Sequence, residues 1–69
     1  MGKGDLVRPN WSLRTWRSRR MLTRGLGPTS VLEVWDTDAP PASPTCVRVR
    51  LGDQRWPEWL DKRLFVFAV

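Results

Sequence analysis

The sequence predicts an all-β domain, a small five-stranded barrel with one long basic excursion after its first strand. Three observations carry that reading. Short runs of alternating or β-branched residues recur every eight to twelve positions between turn signals, the pattern of small barrels and sandwiches. Gly25, Gly27, Pro28, Pro40, Pro41, Pro44 and Gly52 fall between those runs. With 69 residues, a folded chain exposes roughly 4,500 of the ~11,600 Å² its unfolded form would, which leaves one thin core. A multidomain enzyme or an active site assembled from many loops is excluded at this size.

The elements follow in chain order. Leu6 and Val7 form a short first strand over 5–8 that Pro9 stops. Val31, Leu32, Glu33, Val34 and Trp35 are rich in β-branched and aromatic residues, and make 30–36 the next clear strand. Thr37 to Thr45 holds Pro40, Pro41 and Pro44, which cannot donate to a ladder, so 37–45 is an exposed Pro-rich loop. From Cys46 to Leu51, Val47, Val49 and Leu51 alternate with Arg48 and Arg50, giving a half-buried strand with an arginine face toward solvent. Gly52-Asp53 supplies a turn. Gln54 to Leu60 carries Trp56 and Trp59 around Pro57, which demotes it to an edge or irregular strand. Asp61 to Leu64 makes one tight helical turn before a final strand beginning at Phe65.

Asn10 to Gly27 fits neither period. Asn10 or Ser12 caps a helix and Gly25 ends one if 12–22 is helical. The favoured reading is an excursion, 10–24, whose end Arg20–Arg24 pairs back against the Val31 strand through Gly25-Leu26-Gly27-Pro28.

The ordered series Lys3-Gly4-Asp5-Leu6-Val7-Arg8, Gly27 before Val31 to Val34, Cys46-Val47-Arg48-Val49-Arg50-Leu51-Gly52-Asp53, Trp56 to Trp59, and Asp61 to Phe65 resembles the layout of small SH3-like barrels. The similarity is to KOW-type proteins and small bacterial and phage barrel proteins. It covers most of the chain apart from 10–24 and 37–45. The resemblance implies a five-stranded SH3-like barrel with one helical turn before the last strand. It is nearly silent on function, because such barrels serve as nucleic-acid binders, peptide binders and structural subunits.

The residue inventory narrows the chemistry. There is no histidine, no tyrosine and one cysteine, Cys46, which reads as a small structural hydrophobe. A Cys/His zinc set and an intramolecular disulfide are excluded, and no paired carboxylates suggest an acid/base couple. The expectation is a non-enzyme with no cofactor and no metal. No apolar run approaches the ~20 residues of a membrane span, and the start carries no signal-peptide core. A cytoplasmic or particle-associated protein, for example in a virion, is expected rather than a secreted one.

Charge is unevenly divided. Residues 1–32 hold seven basic residues against Asp5 alone, a net +6, while residues 33–69 hold five against six, a net −1. Ten of the twelve basic residues are arginine, whose planar fork suits phosphates, carboxylates and aromatic faces.

Two constellations remain. Trp11, Arg14, Trp16, Arg17, Arg19, Arg20 and Arg24 place tryptophans among arginines with no acid between them. The first reading is a loop that docks a protein surface in a larger assembly, because Trp and Arg are typical hot-spot residues. The second is nucleic-acid binding by Arg14, Arg17, Arg19, Arg20, Arg48 and Arg50, with single strands or RNA preferred because tryptophan stacks on unpaired bases. The third is that Trp11 and Trp16 fold back onto the core and the arginines form a solvated rim. The other constellation, Trp35, Trp56 and Trp59, fills core or lines a groove. Five tryptophans exceed what one thin core hides, so self-association or a covering neighbour is also expected.

Overall fold

The computed structural model describes residues 1–17 and 25–68. Among them it is mostly antiparallel sheet: β1 (Leu6–Pro9), β2 (Leu32–Asp36), β3 (Cys46–Leu51), β4 (Gln54–Arg55), β5 (Leu60–Asp61) and β6 (Phe65–Phe67). Two 3₁₀ turns, Arg14–Arg17 and Lys62–Leu64, interrupt them. The accessible surface is 4543 Å², close to the roughly 4,500 Å² expected of this mass.

Strand neighbours run β4-β3-β2-β1-β6, with β5 also pairing β3. β3 alternates as expected, with Val47 and Val49 buried and Arg48 and Arg50 on the other face. β1 alternates too, burying Val7 and Pro9. Pro9 is tolerated because β2 pairs only with Leu6 and Val7, so its missing N–H removes no bond from that ladder. Between Val34 and Asp36 the β2–β3 register shifts by one residue, and Trp35 is the extra one.

Two expectations are corrected. The segment Gln54–Leu60 is not one irregular strand: the chain leaves the edge of β3 after Arg55 and returns to it at Leu60, so the described residues hold six strands rather than five. Pro57, without a donor, sits in that gap. The sheet also does not close into a barrel. Its end strands, β4 with two residues and β6 with three, do not pair with each other, and the Lys62–Leu64 turn links β5 to β6. This turn matches the expected helical turn. Asp61 caps it, accepting from the Arg63 N–H at 2.9 Å, and Lys62 N–H donates to the Thr45 carbonyl at 2.9 Å.

In the excursion, Arg14–Arg17 form a 3₁₀ turn rather than an α-helical one, and residues 18–22 of the alternative helix over 12–22 lie outside the described residues. The proposed strand Arg20–Arg24 lies outside the described residues.

The core comprises Val7, Trp16, Leu26, Leu32, Val34, Val47, Val49, Trp56 and Phe65. Trp16 is its largest fully buried side chain. Its indole N–H donates to the Leu64 carbonyl, and its ring meets Phe65 edge-on at 5.3 Å and 63°. Filling the core with a ring whose polar atom is satisfied contributes about 3 kcal/mol. The root of the basic excursion is thereby pinned to the C-terminal turn.

Candidate functional site

The face of the sheet opposite the core gathers Trp35, Arg48, Arg50, Arg55 and Trp59. Its layout follows from register. Leu6 pairs with Glu33, Glu33 with Arg50, and Arg50 with Arg55, which makes one row across four strands. A second row lies beside it. The Trp35 bulge precedes Asp36, the partner of Arg48, and Val47 pairs with Leu60, so antiparallel pairing brings Trp59 beside Arg48. The two-residue Gly52-Asp53 loop fixes the β3–β4 register, with Gly52 at φ 58° as the first residue of such a loop requires.

Within the second row the Arg48 guanidinium lies 4.1 Å from the Trp59 ring centroid and 5.3 Å from that of Trp35. Arg55 covers Trp35 as well, at 5.2 Å. Each such contact is worth about 0.5–2 kcal/mol, depending on desolvation. Trp35 is held in place by its own N–H, which donates to the Val49 carbonyl at 3.1 Å.

Carboxylates temper the positive charge. Arg50 pairs with Glu33 at 2.6 Å and also donates to the Gly52 carbonyl at 3.0 Å. Arg48 approaches Asp36 at 3.8 Å, too far for a hydrogen bond, and its Nε is buried without a hydrogen-bond partner. The rings, rather than the carboxylate, position Arg48. Arg55 is exposed, and no carboxylate among the described residues pairs with it.

The predicted residues thus separate. Trp16 and Trp56 are in the core, so Trp16 leaves the proposed docking surface and Trp56 leaves the proposed groove, while Trp35 and Trp59 stay together on the outer face. Trp11 is half-buried and packs against the core. Arg14 is exposed and Arg17 closes the first 3₁₀ turn. Arg19, Arg20 and Arg24 lie outside the described residues. Arg48 and Arg50 lie on the outer face of β3, both half-buried. Arg55 was missed; its signal was the Gly52-Asp53 turn, which dictates that Gln54 and Arg55 face Leu51 and Arg50.

A shallow depression of about 340 Å³ lies between the two 3₁₀ turns, lined by Asn10, Leu13, Asp61, Arg63 and Leu64. At its rim Asp61 accepts from Arg63 through side chain and backbone. The side-chain bond first, then the backbone bond, holds the Asp61 carboxyl below its ordinary range. Among the described residues no three His, Cys, Asp or Glu side chains gather as a metal site, and no helix is long and apolar enough to cross a membrane.

No protein-family model, curated protein or solved structure matches this chain.

Proposed function

We propose that this chain is a non-enzymatic interaction module that docks a protein surface within a larger assembly, such as a virion or a multisubunit complex. The outer face of the sheet, centred on Trp35, Arg48 and Trp59, is its docking surface. One observation carries the reading: two half-buried indoles and two arginines, Arg48 and Arg55, are layered on the face turned away from the core. Arginine and tryptophan dominate interface hot spots, and a pre-stacked guanidinium loses little freedom on binding.

The fold behind this face is read as a variant of the SH3-like barrel. Supporting it are the long connection after β1, the β2–β3–β4 meander, and a single 3₁₀ turn that leads into a last strand paired with β1.

The test is recovery of the complex from the native source, followed by replacement of Trp35 and Trp59 by Ala. Loss of at least about 2 kcal/mol of binding, or roughly thirtyfold, is expected. Unchanged affinity in a folded double variant contradicts the reading.

Nucleic-acid binding is the second reading, favoured by the net +6 of residues 1–32. Glu33 and Asp36 stand among the β3 arginines and would meet a phosphate backbone there, so the basic excursion would have to carry it. Titration of single- and double-stranded oligonucleotides at two salt concentrations separates the readings. Phosphate binding must strengthen as salt falls.

A further inference from the structure

The same outer face continues past Glu33 onto β1 and β6, where its chemistry changes. Leu6 is 42% exposed, Val31 48% and Val66 37%. Register places them around one side chain. Val66 is the direct partner of Arg8. Leu6 precedes Arg8 by two positions on β1, so both point to the same side. Val31 adjoins Leu32, the partner of Val7, which puts it beside Arg8 on the strand opposite. Arg8 is itself exposed, and no carboxylate among the described residues pairs with it.

An arginine ringed by three aliphatic side chains differs from the tempered arginines of β3. Once the ring is covered, water leaves the guanidinium and its charge must be met by an anion. A second copy of this chain docked through the same patch would bring Arg8 against Arg8 across the two-fold axis, which like charges oppose. A nucleic-acid backbone would leave the aliphatic ring facing phosphates. Charge and apolarity together are met by a protein segment that sets a carboxylate among apolar side chains.

We propose that the Leu6–Arg8–Val31–Val66 patch docks an acidic, partly apolar protein segment through a carboxylate on Arg8. The inference rests on the reading of the chain as an interaction module, and names the partner chemistry and a second contact region.

The full-length chain, labelled with ¹⁵N, is titrated with two short synthetic peptides of one apolar pattern, carrying Glu or Lys at the polar positions, and with a poly-dT oligonucleotide. The Glu peptide is expected to shift the amides of Leu6, Arg8 and Val66, and Arg8→Glu to weaken it about tenfold or more. Arg8 is exposed, so the variant keeps its fold, which its own spectrum checks. Equal binding of the Lys peptide, shifts with poly-dT alone, or indifference to Arg8→Glu overturns the proposal. If the Glu peptide shifts only residues around Trp35 and Trp59, the module reading stands and this patch fails. If the Glu peptide shifts nothing, the patch fails, and the Trp35/Trp59 double variant decides the module separately.

Discussion

The guanidinium of Arg48 rests 4.1 Å from the centre of the Trp59 ring, although the two residues are separated by a turn, a strand and a proline. Their meeting is a consequence of β5 returning to the edge of β3 after the chain has left it. A double-mutant cycle of Arg48→Met and Trp59→Leu is expected to give a coupling of about 0.5–2 kcal/mol in denaturant unfolding. Zero coupling would mean that the ring does not hold the cation.

Trp16 is expected to be the most sensitive position in the excursion. A domain of this size has roughly 3–10 kcal/mol of total stability, and truncating a buried tryptophan costs about 3–5. Trp16→Ala therefore leaves the chain largely unfolded by far-ultraviolet circular dichroism. Trp16→Phe keeps a ring against Phe65 and removes one of the two donors to the Leu64 carbonyl, which still accepts from the Asn10 N–H at 2.7 Å. It is expected to fold with a loss of about 0.5–1.5 kcal/mol.

Gly52 separates backbone from packing effects. Its φ of 58° is unfavourable for an L residue, while a Cβ there meets nothing within 4 Å. Gly52→Ala is expected to cost about 1–2 kcal/mol, and D-alanine at this position, introduced by chemical synthesis, to cost nothing. Equal losses for both would place the cost in contacts instead.

Asp61 gives the fold an acid limb. Its carboxyl titrates below the ordinary 3.8 in the folded chain because Arg63 bonds the ionised form. A depressed folded value means the stabilisation is fully present above the unfolded value and disappears as pH falls through the folded one. Unfolding midpoints measured from pH 5 downward are expected to drop below about pH 4. Asp61→Asn keeps a capping oxygen for the Arg63 N–H and is expected to flatten that limb. A variant as acid-sensitive as the parent would shift the cause to other carboxylates.

How much of this was legible in the sequence depends on whether a residue's fate was set locally. The Val47/Arg48/Val49/Arg50 alternation fixes both faces of β3 without outside information, and the capped turn at Asp61–Leu64 is equally local. Trp16 was not legible in the same way. It lies in a stretch without period, and its burial is decided by Leu64 and Phe65, far along the chain. Trp56 and Trp59 show the same limit. Pro57 breaks the strand between them, so their separation says nothing about shared facing, and one enters the core while the other joins Arg48 outside. The bulge at Trp35 is likewise set by pairing between strands, not by its neighbours in sequence.

The most direct measurement is hydrogen exchange and hydroxyl-radical footprinting of the full chain, free and in the complex recovered from its native source. Side-chain protection on binding is expected at Trp35 and Trp59, with Trp16 and Trp56 already protected in the free chain. Protection confined to the Asn10–Leu13 and Asp61–Leu64 depression, with Trp35 and Trp59 as reactive bound as free, would contradict the outer face as the docking surface.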